Sequence, residues 1–535
     1  MAKISRLDGL NEDILYCILV QVAALRTQTD EQSIALKNLS TTCKRMRSYC
    51  MPVLFHECQS IVRFGGVPPE AIRAHVRHIK YIRAFHKIEE VYAAGFYNGM
   101  MVPMPLVDSS GNSIVKIPPP PPFGLELDYL PNVRAVTFLL CPGGVPWYAL
   151  TKCLDYPNVT SISIDKDSAW IFPPPSPIPA DLSPTSHGCR LTEFIYTPCQ
   201  WRETQSRLRK TNIQPAYAYE TSYLRALVLA MSDTAESVTL PVETAPLLEM
   251  ANMDWPRLHT LSLTGRYTHP NQCRAIPLLL LRMPNLRSLS VKVMQCEVMR
   301  RPLLLKEPPD TSYRLRSLTI SYPNPEDPIF SYIGDGLTSL SLRDSPRHYF
   351  ASRYSRRYLP AIFPILRASE CLAILKRVSA PRLSVLELVY QTDAAEDELL
   401  QYLPMAFPLL QEIELHRYKA SLKDTVPYLH IAQTLKLNKY LRALYLNVDI
   451  KDRSFRYEIL RADSGKNRRQ RGLELVSVLQ SGTYFEYVAL PLHTHTAGTW
   501  TLYRPAWSPH GTVDENSPHA IDSPAYLRTD KRHVR

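Results

Sequence analysis

The sequence predicts an α/β repeat solenoid with parallel strands on a concave face and helices on a convex face, preceded by a small three-helix unit. Three observations predict it. One eight-residue phrase, a turn pair followed by apolar-x-x-apolar-x-apolar, returns about eleven times between residues 131 and 446. Helix-like stretches stand before many of its copies. The first fifty-odd residues, by contrast, carry apolar side chains at helical spacing.

The N-terminal unit comes first. Asn11 is placed to cap a helix in which Ile14, Leu15, Ile18, Leu19 and Val22 share one face, with Glu12 and Asp13 in its first turn. A polar loop, residues 26–32, leads to a second helix carrying Ile34, Leu36 and Leu39. A third runs through Cys43, Met46 and Cys50, and Pro52 is expected to stop it. Fifty residues are too few to bury every face of three helices, so this unit is expected to pack on a neighbour or a partner. The apolar run Ile14–Leu25 follows acidic Asp8, Glu12 and Asp13, which argues against a signal peptide. No apolar stretch reaches the roughly 18 residues of a membrane span.

The repeats follow. Clear copies are Pro131–Phe138, Pro157–Ile164, Pro256–Leu263, Pro284–Val291, Tyr313–Ile320, Asp335–Leu342, Pro381–Leu388, Pro408–Leu415 and Lys439–Leu446. Weaker copies are Leu191–Tyr196 and Leu224–Leu229. Spacing is mostly 22–34 residues, with one gap of 46 before Pro381. The last two apolar residues of each phrase alternate, so they point to one face of a short strand. Stacked phrases then make a parallel sheet with a continuous apolar ladder. A doubly wound α/β sheet explains helix–strand alternation but not one phrase returning so often.

The flanking residues belong to the concave face: Thr260, Ser262 and Thr264; Ser288, Ser290 and Lys292; Ser317, Thr319 and Ser321; Ser339, Ser341 and Arg343. The character changes further on, to Glu387 and Val389, then Glu412, Glu414 and His416, then Tyr445 and Asn447. Lys292, Arg343, Glu412, Glu414 and His416 are the expected substrate-binding residues, since the concave face of a solenoid is its recognition surface. Arg134, Arg225, Arg287, Arg316 and Arg442 each follow the first apolar residue of a phrase and form either a rim ridge or a solvated row of charges.

Composition excludes several classes. A hydrophobic fraction of 45% and a mean hydropathy of −0.18 exclude global disorder. With 46 Pro against 18 Gly, a collagen repeat is impossible. Sixty-two basic residues face 50 acidic ones, a net charge of +12, and they are interleaved; neither nucleic acid nor membrane is expected as a partner. The longest basic cluster, Lys466–Arg471, reads as a solvated loop or a nuclear signal. Eleven Cys with no CxxC and no zinc spacing suit a reducing compartment and free thiols, with secreted receptors as the alternative. No nucleophile elbow, P-loop, dinucleotide fingerprint or HExxH occurs, so no catalytic residue, cofactor or metal is expected, and His493-Thr-His495 reads as a surface pair. Pro118–Pro122 and Pro173–Pro179 read as stiff loops, and residues 506–535, with three Ser-Pro pairs, as a mobile tail.

Two resemblances follow from these motifs. Leu10-Asn-Glu-Asp-Ile14-Leu-Tyr-Cys-Ile18-Leu, Leu36-Lys-Asn-Leu39-Ser-Thr-Thr-Cys43-Lys-Arg-Met46-Arg and Pro52-Val-Leu54-Phe55 resemble an F-box. Asn11 and Met46 depart from its usual Pro and Trp; the alternative is a helical cap. The repeats resemble irregular leucine-rich repeats, and the whole looks like the F-box/leucine-rich-repeat proteins of fungi. That resemblance implies an F-box over residues 1–60, a linker and start of the solenoid over 61–124, and the repeat solenoid over 125–505. It implies a non-enzymatic, cytoplasmic or nuclear substrate-recognition subunit of a cullin–RING (SCF-type) ubiquitin ligase. Leu10, Ile14, Ile18, Cys43, Met46 and Leu54 would bind a Skp-type adaptor, and through it a cullin, while the solenoid binds a substrate protein. A non-catalytic scaffold without a ligase role is the alternative.

Overall fold

The computed structural model describes residues 11–24, 30–60, 68–82, 126–139, 145, 147–164, 189–198, 214–295, 301–306, 314–345, 347, 364–421, 426–448, 462–480, 485–493, 498–505, 513–514 and 520–521. The chain divides into two compact units, residues 1–199 with 215–234 and residues 200–214 with 235–535. Leu10, both proline loops, His495 and nearly all of the expected tail lie outside the described residues.

The first unit opens with helices α1 (Glu12–Ala24), α2 (Asp30–Thr42) and α3 (Lys44–Leu54). Asn11 Oδ1 accepts the Asp13 N–H at 2.8 Å and caps α1. Leu15, Leu19, Leu36, Met46, Cys50 and Val53 form one small buried core, with Leu39, Tyr49 and Leu54 half-buried against it. Pro52 does not end α3, which runs on to Leu54. So close to the terminus its missing N–H removes one intrahelical bond, and the Phe55 N–H still closes on Met51 O at 3.0 Å.

Five parallel strands follow in the same unit: β1 (Glu57–Ser60), β2 (His78–Ile82), β3 (Ala135–Leu139), β4 (Ser161–Ile164) and β5 (Glu193–Tyr196). Two of them precede the first copy of the phrase. Ile79, Val136, Ile162 and Phe194 stand side by side in register and are fully buried. One residue pair along, Tyr81, Phe138, Ile164 and Tyr196 repeat the row, with the Tyr81 and Phe138 rings stacked at 5.7 Å. Helices α4 (Trp147–Asp155) and α5 (Gln214–Ala230) supply buried apolar residues such as Leu150, Cys153, Leu224 and Val228. Leu224–Leu229 was expected to be a strand; it is part of α5, because its apolar residues also fit a helical period and no turn pair precedes them.

The second unit continues the pattern with β6 (Ser237–Pro241), β7 (Thr260–Arg266), β8 (Ser288–Met294), β9 (Ser317–Ser321), β10 (Ser339–Arg343), β11 (Leu366–Arg367), β12 (Val385–Gln391), β13 (Glu412–Tyr418), β14 (Ala443–Val448) and β15 (Tyr487–His493). Val238, Leu261, Leu289, Leu318, Leu340, Leu386, Ile413, Leu444 and Val488 make one unbroken in-register row, all buried. Each such side chain contributes about 1.5–3 kcal/mol relative to exposure. Helices α6 (Pro270–Leu280), α7 (Ala368–Arg377), α8 (Glu396–Ala406), α9 (Tyr428–Leu435) and α10 (Ala462–Leu479) stand in the connections, the first three where helix-like stretches precede the phrases. The gap of 46 before Pro381 holds β11 and α7. Among the described residues strand β11 pairs only with the far end of β12, Leu366 with Tyr390 and Arg367 with Gln391, and β10 and β12 are direct neighbours from Ser339–Leu342 to Val385–Leu388.

The turn before each strand is a second repeating structure. The carbonyl of one corner residue accepts two N–H groups from the next corner: Arg287 O takes Arg316 N at 2.7 Å and Ser317 N at 3.1 Å. The same bond runs through Glu236, His259, Arg287, Arg316, Thr338, Ser384, Gln411, Arg442 and Glu486. In the first unit it runs through His56, Arg77, Arg134, Thr160 and Thr192. These bonds satisfy backbone groups at each bend and fall on the two residues between the first and second apolar positions of the phrase.

The end of the array departs from the expected parallel order. Strand β16 (Gly498–Tyr503) runs antiparallel to β15, and β17 (Val513–Asp514) and β18 (Ala520–Ile521) run antiparallel to β16. Only four residues separate β15 from β16, too few for the crossover that a parallel neighbour needs. The basic cluster Lys466–Arg471 lies on α10 rather than in a loop.

Candidate functional site

With the apolar rows under the helices, alternation leaves the other residues of each strand on an open face. In the second unit its middle row reads Thr239, Ser262, Ser290, Thr319, Ser341, Glu387, Glu414, Tyr445 and Ala489, all in register. Small hydroxyls give way to two acids and a phenol between β10 and β14. Glu387 and Glu414 face each other across neighbouring strands, a like-charge pair that is unfavourable unless something neutralises it.

Arg347 does so. It comes from the chain just after β10, and its guanidinium lies 2.5 Å from Glu387 Oε1, 3.2 Å from Glu414 Oε1 and 3.2 Å from Asp344 Oδ1. Its side chain is 6% exposed and that of Asp344 fully buried. The Ser341 hydroxyl donates to Glu387 Oε2 at 2.5 Å. Burial alone would raise the Glu387 carboxyl, but Arg347 first, then Arg343, hold it well below the usual carboxylate range.

The wall beyond β13 is aromatic and hydrogen-bonded. His416, fully buried, is 2.5 Å from Glu414 Oε1 through Nε2 and 2.9 Å from Asn447 Nδ2 through Nδ1. With the Asn447 amide donating to Nδ1, the imidazole carries its proton on Nε2 and donates it to Glu414. The Trp500 ring of β16 stands edge-on to His416 at 5.9 Å and to Tyr445 at 5.2 Å. Ala443, Tyr445, Ala489, Trp500 and Leu502 form a buried cluster there, and the Tyr445 and Tyr487 hydroxyls meet at 2.7 Å. Burial, then the Tyr487 hydroxyl, raises the Tyr445 phenol far above its ordinary value.

This arrangement can bind a cation and has little else in its chemistry. Oxygen and nitrogen atoms of Glu387, Glu414 and His416 lie within 4.8 Å of one another. A metal ion there would stand against the Arg347 guanidinium and take the lone pair side of an imidazole nitrogen that now carries a proton. The donor set fits an organic cation better than a metal. In the first unit His78 Nε2 is 2.8 Å from Thr137 Oγ1 and its Nδ1 is 3.4 Å from Glu57. That orders a hydroxyl, an imidazole and a carboxylate, but Lys80 also holds Glu57 at 2.6 Å and the neighbouring backbone N–H groups are engaged in the parallel ladder. No donor pair for an oxyanion faces Thr137 among the described residues.

The expected residues fall as follows. Arg343, Glu414 and His416 come together around Glu387. Glu412 lies one pair away along β13, opposite Ala443. Lys292 is half-buried on β8, and its carbonyl accepts the Ser345 hydroxyl at 3.2 Å. On the helical unit Ile14 is 54% exposed. Ile18 and Leu54 are half-buried, Cys43 is exposed and caps α3 by accepting the Met46 N–H on Sγ, and Met46 lies inside the small core. Four of the five arginines, Arg134, Arg287, Arg316 and Arg442, occupy strand corners, but Thr338, Ser384 and Gln411 interrupt the series, Arg442 pairs with Glu486 at 2.8 Å, and Arg225 is on α5. Asp344, Arg347 and Trp500 escaped the sequence reading. Arg347 and Asp344 lie just past a phrase in the irregular gap, where no periodicity marks them.

No protein-family model matches the chain, and no curated protein matches it. Among solved structures it is similar to the yeast complex of Rad7 and Elc1, at 13% identity and a TM-score of 0.31, covering 78% of this chain and 91% of that one. No helix among the described residues is long and apolar enough to cross a membrane.

Proposed function

We propose that the chain is the substrate-recognition subunit of a cullin–RING (SCF-type) ubiquitin ligase, its F-box-like unit binding a Skp-type adaptor and its open sheet face holding a substrate protein. One observation carries the reading. Helix α1 buries Leu15 and Leu19 in the small core yet leaves Ile14, Tyr16 and Val20 at 54%, 48% and 37% exposure, in the stretch that carries the F-box pattern. Apolar residues of this size outside a satisfied core are what a protein interface buries as anchors. The chain itself does no bond chemistry on this reading. It raises the substrate's concentration beside a ubiquitin-conjugating enzyme, in the cytoplasm or nucleus. Pull-down with a purified Skp-type adaptor is the test. Wild type should bind, and Ile14→Asp, at an exposed position that the fold does not need, should lose most of the binding. If wild type fails to bind, the helical unit is a cap and the chain a scaffold.

A further inference from the structure

The residues around Arg347 divide into a seat and an occupant. The seat belongs to the sheet. Glu387 of β12 and Glu414 of β13 present carboxylates one strand apart, each oriented from the strands themselves, by the Ser341 hydroxyl and the His416 Nε2–H. The occupant comes from elsewhere. Ser345 ties the chain after β10 to the Lys292 carbonyl of β8, and two residues on Arg347 reaches past β12 to β13. In sheet order β8 and β13 lie on opposite sides of β10, so the contacts of Ser345 and Arg347 fall on both sides of that strand. Arg347 divides its planar fork, with Nη2 facing both Glu387 and Glu414 and Nη1 facing Asp344 beside them; a lysine ammonium has a single nitrogen and cannot stand at both positions.

We infer that the Glu387–Glu414 seat takes an arginine side chain of a bound protein, and that Arg347 is its resident stand-in, a self-contact which the partner's arginine replaces. The inference deepens the reading of the open face as the partner-holding surface and does not depend on the adaptor. The seat needs no remodelling to accept an incoming arginine, because its orienting donors lie on strands. Binding to the free chain is weakened by the fraction of time Arg347 holds the seat, and removing that side chain lifts the penalty.

The experiment uses the full chain and two blocked peptides, identical except for one Arg or one Lys in a Gly/Ser background. Arg347→Met keeps the aliphatic bulk and removes the fork. This variant should bind the Arg peptide about tenfold or more tighter than wild type does. It should prefer it to the Lys peptide, and lose the preference when Glu387→Gln and Glu414→Gln are added. A folded Arg347→Met chain with no preference for Arg over Lys overturns the inference, leaving Arg347 a structural pin. Should that variant not fold, wild type decides: millimolar Arg peptide should speed amide exchange at Ser345 and Arg347 and the Lys peptide should not, and equal exchange in both overturns it. A chain that captures the adaptor but ignores arginine loses the seat alone. One that prefers arginine but captures no adaptor keeps the seat and loses the ligase role.

Discussion

Glu396→Gln tests how the covered side of the sheet is held. Arg417 follows Leu415 on β13 and points under the sheet, where its Nε and Nη2 meet Glu396 Oε1 and Oε2 at 2.6 and 2.8 Å. The Tyr390 hydroxyl of β12 donates to the same carboxylate at 3.2 Å. The side chains are 4% and 13% exposed, so the pair is a buried, bidentate link between β13 and the first residue of α8. Removing the carboxylate charge leaves a desolvated guanidinium beside a neutral amide, and breaking a buried pair in this way costs about 3–5 kcal/mol. Arg417→Met is milder, at about 1–3 kcal/mol, because Glu396 keeps Tyr390 and stands at a helix N-terminus. In the double variant neither charge remains, so its loss should be close to that of Arg417→Met alone. Two compact units do not unfold in one step, so the readout is native-state amide exchange at β12, β13 and α8. If the double variant loses as much as the two single losses together, within about 0.5 kcal/mol, the pair is not coupled and the reasoning fails.

Three further outcomes follow from local geometry. Gly265 has φ +97° and a Cβ there would stand 2.0 Å from Glu243 Oε2, so Gly265→Ala should lower the melting temperature clearly, whereas Gly336→Ala, with nothing nearer than 3.8 Å, should leave it nearly unchanged. In native protein at pH 8, iodoacetamide should label exposed Cys17 and Cys43 and spare Cys153 and Cys371; burial pushes the Cys153 thiol up to about 12, and labelling of the buried pair at the exposed rate contradicts this. Because the Glu387 carboxyl is depressed in the fold, its stabilisation is complete above the unfolded value of about 4.3 and is lost as pH falls through the lower folded value. Glu387→Gln should therefore be less stable than wild type near neutrality and flatten the acid limb of melting temperature against pH; an unchanged acid limb rules the linkage out.

The apolar ladder was legible because stacking forces the same demand on every unit. The phrase ending in Leu258, Leu261 and Leu263 and the one ending in Leu410, Ile413 and Leu415 solve one packing problem, and repetition makes that visible. Strand β6, Ser237–Pro241, carries only Val238 and Leu240 after a weak turn signal, so the pattern marks the helical Leu224–Leu229 ahead of it. The polar site was half legible. Alternation placed Glu414 and His416 on the open face, since that follows from strand period alone. What joins them to Arg347 depends on a chain segment with no period, and Trp500 reaches them from an antiparallel strand that the parallel repeat gives no reason to expect.

The division between the two faces explains why a site could arise here without disturbing the ladder. On the covered face each residue is constrained by both neighbours, so Leu340, Leu386, Ile413 and Leu444 differ little. On the open face the middle row runs from Ser341 to Glu387, Glu414 and Tyr445 over three strand steps. Such a change is tolerated only where each new charge is met locally: Ser341 and Arg347 meet Glu387, His416 meets Glu414, Asn447 meets His416. The network therefore crosses four neighbouring strands, β10, β12, β13 and β14, through side chains alone. A bound guanidinium that displaced Arg347 would have to meet the buried Asp344 as well as the two glutamates, while the links from Ser341, His416 and Asn447 stay in place. The backbone ladder and the apolar rows beneath it lie outside that exchange.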